Sequence, residues 1–222
     1  MTPASRITWL ISAAGLAAAA WCGWWWIGAS AKKGAVEDWL AGRAADGWVA
    51  EAEVSVSGFP NRFDMTVADL TLADPPAGWA WSAPAFRTYM LSYAPNEIIA
   101  EWPGEHVLSA PGARMTAAAE SFRASAAFLP TTALEIDRAV IETEALELAG
   151  DGGSGDGGWS AGLAEGQLAL RRSAEERGRE NAYDLSLTAS GLRPPEALAR
   201  RVAGAAGGGL PAALDTLSLD AT

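Results

Sequence analysis

From Ile7 to Ser30 the chain reads ITWLISAAGLAAAAWCGWWWIGAS, with no charge between Arg6 and Lys32. A helix of this length extends about 36 Å, more than the ~30 Å hydrocarbon layer of a bilayer. Residues 7–30 are therefore predicted to be a transmembrane anchor. Trp9 near one end and Trp24, Trp25 and Trp26 near the other place indole rings at both headgroup levels. Ala29-Ser30-Ala31 also fits signal-peptidase cleavage, but the run exceeds the about 7–15 apolar residues of a removable signal, which favours an uncleaved signal-anchor. Past the anchor, Val36, Trp39, Leu40 and Ala44 recur at helical spacing and predict a short amphipathic helix over 34–47.

At Trp48 the period changes to two. Trp48, Ala50, Ala52, Val54 and Val56 alternate with Glu51, Glu53, Ser55 and Ser57, the pattern of a strand with one dry side. Gly58-Phe59-Pro60-Asn61 supplies a hairpin turn. In the return strand Phe63, Met65 and Val67 share one phase and Leu70 and Leu72 the other, which predicts a bulge near Ala68 and Asp69. Further strands are expected over 86–93, 97–102, 106–108, 114–128, 134–148, 159–171 and 183–189. Turns are expected at Asp74-Pro75-Pro76 and Tyr93-Ala94-Pro95-Asn96, and a glycine-rich loop at 151–158. Pro194 and Pro195 suit the start of a helix carrying Leu198 and Val202 and stopped by glycines at 207–209. Leu217, Leu219 and Ala221 return to strand alternation, and Thr222 falls in mid-pattern, so a truncated C-terminus is expected. The expected fold is mainly β: an N-terminal transmembrane helix, then a long curved antiparallel sheet over 48–222 with one or two short helices.

Charge narrows the function. Against 16 Lys plus Arg stand 27 Asp plus Glu, a net charge of −11, which repels phosphate backbones and argues against nucleic acid as a partner. One cysteine, Cys22, and one histidine, His106, exclude a Cys/His zinc site and an internal disulfide. Cys22 follows Trp21 rather than a small residue, so it reads as a membrane-buried thiol and not a lipidation site. Arg6 opposes Lys32 and Lys33, leaving orientation to the long acidic domain, which is expected outside the inner membrane of a Gram-negative cell, in the periplasm.

Candidate chemistry is sparse. No Gly-x-Ser-x-Gly elbow accompanies His106 and Ser109, and His106 is expected on the surface, in the turn after Trp102-Pro103-Gly104. Glu135, Asp137, Glu142, Glu144 and Glu147 offer paired carboxylates for glycoside cleavage, or else one solvated sheet face. Asp151 and Asp156 offer oxygens to calcium but lack the remaining ligands of a calcium loop, and no metal or cofactor is expected. Arg62, between Phe59 and Phe63, suits a cation–π contact or an anionic headgroup. Outside the anchor, Trp39, Trp48, Trp79, Trp81, Trp102 and Trp159 either fill a core or line a groove. The candidate ligand-binding residues are Phe59, Arg62, Phe63, Trp79, Trp81 and Trp102.

Ser57-Gly58-Phe59-Pro60-Asn61-Arg62-Phe63-Asp64, following an anchor and a strand, resembles the opening signature of a bacterial family of membrane-anchored periplasmic domains of unknown function. Trp81-Ser82-Ala83-Pro84, Tyr93 to Ala100, Pro111-Gly112 and Phe122-Arg123-Ala124-Ser125 follow in the family's order. The resemblance covers residues 35–148 well and the remainder loosely. It implies anchorage and a long antiparallel sheet, without an activity. More remotely, such sheets are similar to those of AsmA-like envelope proteins, which hold acyl chains along an apolar concave face.

Two expectations follow. One is a non-enzymatic module, tethered to the inner membrane, that binds or shields acyl chains or organises the envelope with another envelope protein. The other is a carboxylate-dependent hydrolase of envelope polymers, or a scaffold pairing by strand addition.

Overall fold

The structure is a computed structural model and describes residues 3–131, 133–151, 157–173, 182–206 and 214–221. The anchor and the amphipathic helix expected as separate segments are one helix, α1 (Pro3–Ala45), of 43 residues. No proline or β-branched run interrupts the stretch between Ser30 and Gly34, so the backbone ladder continues through it. The first part of the apolar stretch stands free of the sheet, with Trp9, Leu10 and Leu16 exposed, while Trp21 and Trp25 reach Pro60 and Arg62 in the turn after the first strand. The C-terminal part packs on the first strands. Carbonyls of Gly42, Arg43 and Ala44 accept the amides of Asp46, Trp48 and Gly47 and close the helix.

Among the described residues eleven strands then form one antiparallel sheet. They are β1 (Val49–Ser57), β2 (Asp64–Asp74), β3 (Trp79–Leu91), β4 (Ala94–Glu101), β5 (His106–Ala110), β6 (Ala113–Ala118), β7 (Ser121–Phe128), β8 (Ile136–Gly150), β9 (Trp159–Arg172), β10 (Tyr183–Leu192) and β11 (Leu214–Ala221), with α2 (Glu196–Ala206) before the last. The main order is β1-β2-β3-β4-β7-β8-β9-β10-β11. The single strand expected over 114–128 is two. β6 pairs with residues 147–150 of β8, and β7 with residues 136–144. Likewise β5 pairs with residues 80–82 of β3 and β4 with residues 87–91. Two short ladders, β4–β7 and β5–β6, thus lie end to end between the long strands β3 and β8. The glycine stop at 207–209 lies outside the described residues.

The hairpin turn follows Ser57 as expected, and the bulge is at Asp69, whose φ is 51°. There β2 spends three steps where β1 spends two, so Leu70 and Leu72 return to the side of Met65 and Val67. The expected turn over 93–96 is shorter. Only Ser92 and Tyr93 turn, and Pro95 lies within β4 where the ladder to β3 shifts register, so no strand requires its missing amide. The core consists of Leu40 of α1 with Val54, Met65, Val67, Leu70, Leu72 and Ala83 of the first three strands.

Candidate functional site: an apolar sheet face and its groove

Residues directly opposite each other in a ladder point to the same side of the sheet. One such row crosses nine strands: Val56, Met65, Thr88, Ala100, Ala124, Ile141, Leu168, Leu187 and Leu219. The adjacent row, one residue along each strand, reads Ser55, Thr66, Arg87, Glu101, Arg123, Glu142, Gln167, Thr188 and Ser218. The first is apolar but for one threonine, and the second is polar throughout. The sheet therefore has a dry side and a wet side over its full width.

Helix α1 covers only the beginning of the dry side. Val36 and Leu40 pack on β1 to β3, and Lys32 Nζ donates to Thr88 Oγ1 at 3.1 Å. Farther along the same row, Ile141 is 39% and Leu219 52% exposed. Among the described residues α2 does not replace α1, for its contacts are few and chiefly with β9, and Leu198 on it is exposed. The wet side carries its own network: Gln167 Nε2 donates to Glu142 at 3.0 Å and Arg171 pairs with Asp184 at 3.1 Å.

Where the two short ladders meet, the dry side opens into a groove of about 300 Å³ lined by Trp81, Trp102, His106, Phe122, Leu146 and Leu148. Trp102 sits between Phe86 and Phe122, with ring centroids at 5.3 and 5.1 Å. His106, expected on the surface, is buried in β5. Its ring lies along that of Trp81, and Trp81 Nε1 donates to His106 Nδ1 at 3.3 Å. That bond requires an unprotonated Nδ1 and so a neutral ring. Burial pushes the His106 pKa below its usual value in the same direction. With one wall an imidazole and the rest hydrocarbon, the groove suits an uncharged apolar group.

Of the candidate ligand-binding residues, Trp81 and Trp102 share this groove. Trp79 is at the far end of the sheet, edge-on to Trp48 at 5.1 Å. Phe59, Arg62 and Phe63 are together at the end of the sheet that faces the apolar part of α1. Phe63 is buried against Trp25, and Phe59 is 55% exposed. The Arg62 guanidinium lies 5.4 Å from the Tyr89 ring and its Nε 3.0 Å from Asp64. A cation–π contact thus forms with Tyr89, a cross-strand neighbour invisible to local sequence reading. The hydrogen bond to Glu101 at 2.8 Å holds the Tyr89 phenol above its usual pKa.

Three of the candidate carboxylates are paired with arginines. Glu135 pairs with Arg172, Asp137 with Arg138 and Glu147 with Arg193. Among the described residues no three His, Cys, Asp or Glu side chains converge to hold a metal ion. Asp156 lies outside those residues. Sequence reasoning did not single out Phe122, Ile141 and Leu168 as members of the dry side, though the alternation of 183–189 did sort Leu187 to an apolar side. The signal was present, since each is an apolar position of an alternating strand, but alternation does not say which strands align.

No curated protein and no solved structure matches this chain. The sequence pattern of a bacterial family, described as an uncharacterized protein conserved in bacteria (DUF2125), matches residues 25–222, which take in the C-terminal part of α1 and every strand. The chain belongs to that family.

Proposed function

We propose that this protein is a single-pass, membrane-tethered, non-enzymatic module whose domain stands in the periplasm and takes lipid acyl chains along the dry side of its sheet. The observation that carries this reading is the row from Ala100 to Leu219, which stays apolar across six strands and leaves Ile141 and Leu219 exposed, beyond the strands that α1 packs on. Exposed apolar patches of such extent are uncommon on proteins without an apolar ligand or partner. The helix supports the tether, being long and apolar enough to cross a bilayer, and a tether keeps the sheet at high local concentration beside lipid.

Adjacent residues provide the test. A photoreactive side chain at Ile141 or Leu219 of the full-length protein in cells should capture phospholipid, and one at Glu142 should not. No lipid adduct at either apolar position, or equal capture at Glu142, overturns the proposal. A second reading is favoured by β11, whose outer edge is unpaired among the described residues: strand addition by another envelope protein. Protein adducts from Ser218, in the absence of lipid adducts from Ile141, would select it.

A further inference from the structure

We infer that the β1–β2 hairpin tip, residues 58–63, sits inside the leaflet next to the sheet and holds that end of the sheet in the bilayer. The inference rests on α1 spanning the membrane and not on acyl-chain binding.

Depth is set by the helix. At ~1.5 Å per residue Trp21 stands about 21 Å, Trp25 about 27 Å and Lys32 about 38 Å along the axis from Ile7. With a ~30 Å hydrocarbon layer beginning at Ile7, Trp21 falls within it, Trp25 at its boundary with the headgroups and Lys32 among the headgroups. An ordinary tilt of ~20° shortens these distances by only a few per cent and leaves that order unchanged. The tip is fastened to α1 at those levels. Trp21 Nε1 donates to the Pro60 carbonyl at 2.9 Å, Trp25 Nε1 to the Arg62 carbonyl at 2.7 Å and Lys32 Nζ to the Phe63 carbonyl at 3.1 Å.

The chemistry of the tip agrees independently. Turn carbonyls in water need no protein donor, whereas in hydrocarbon each one left bare costs several kcal/mol. Here five of the six carbonyls of residues 58–63, those of Gly58, Pro60, Asn61, Arg62 and Phe63, accept protein donors, Gly58 and Asn61 from the amides of Arg62 and Ser92. Pro60 brings no amide to satisfy. The side chains left open at this end include two aromatic ones, Phe59 at 55% and Tyr93, in the neighbouring turn, at 66% exposed, beside Pro60 and one polar tip residue, Asn61. Arg62, nearer the boundary, has its charge held by Asp64.

Spin labels at Phe59→Cys, Tyr93→Cys, Ala17→Cys and Ala77→Cys test it, each in full-length protein carrying Cys22→Ser and reconstituted in phosphatidylethanolamine–phosphatidylglycerol vesicles. Ala17 is in the apolar part of α1, and Ala77 is in the turn at the far end of the sheet. The ratio of oxygen to nickel-chelate collisions should be several-fold higher at Phe59 and Tyr93 than at Ala77, and of the same order as at Ala17. Phe59 and Tyr93 reading as aqueous as Ala77 while Ala17 reads hydrocarbon overturns this inference alone. Aqueous readings at all four overturn it together with the spanning helix. Two labelled turns keep the outcome readable should one substitution disturb the tip.

Discussion

The indole N–H of Trp25 donates to the main-chain carbonyl of Arg62 at 2.7 Å, and the same ring stacks on Phe63 with centroids 6.1 Å apart. Trp25→Phe keeps an aromatic ring and removes the donor, leaving that carbonyl unsatisfied. Stability in lipid should fall by about 1–3 kcal/mol. Thermal unfolding of the reconstituted protein measures it, and a Trp25→Phe protein as stable as the parent would mean the carbonyl is hydrated.

Phe63 of the hairpin packs directly over Gly28 of the helix. A Cβ placed there would lie 2.6 Å from Phe63 Cζ. Gly28→Val should displace the Phe63 ring, destabilise the docked hairpin by about 1–3 kcal/mol and speed tryptic cleavage after Arg62. Gly23→Val, where nothing lies within 4 Å of the added carbon, serves as control and should leave cleavage unchanged.

The buried, neutral His106 makes stability depend on pH. Its folded pKa is lowered from 6.5, so below that value the unfolded chain binds a proton the folded chain refuses. Stability should therefore be fully present above pH 6.5 and decline as pH falls from there toward the folded pKa. The midpoint of thermal unfolding measured between pH 7.5 and 5 should show this slope in the parent, and His106→Phe should flatten it.

Trp102 fills the junction of the two short ladders. It is half-buried, so Trp102→Ala should cost toward the low end of about 3–5 kcal/mol. Chemical denaturation measures the loss, and Trp102→Phe should restore most of it.

Asp69 holds the bulge in a left-handed conformation, φ 51°. Asp69→Val should destabilise by about 1–2 kcal/mol, because a β-branched side chain resists that region, while Asp69→Gly should be neutral or better. Equal stability of the two variants would mean that the bulge relocates.

Much of the fold was legible locally. The phase change between Val67 and Leu70 announced the bulge, because a dry side cannot be kept through an odd step without an extra residue. Gly58 and Pro60 announced the hairpin. The site was less legible. Trp81 and Trp102 were recognised as candidates, but Trp79 lies apart from them, and Arg62 meets Tyr89 rather than Phe59 or Phe63. His106 was misplaced because a five-residue strand after Pro103 and Gly104 carries almost no periodic signal, and its burial depends on Trp81, 25 residues upstream.

By itself, the sequence determined the properties that neighbouring residues settle among themselves: an apolar run of membrane length, and within each strand an alternation that sorts side chains to two sides. Tertiary structure alone decided which strands stand together and in what register. It thereby lined up Ala124, Ile141, Leu168 and Leu187 in one row. It also decided that α1 covers only the first strands and that Trp21 and Trp25 reach the hairpin tip. The physical reason is that the pleat is a property of a single backbone, whereas register and docking depend on hydrogen bonds and packing between residues far apart along the chain.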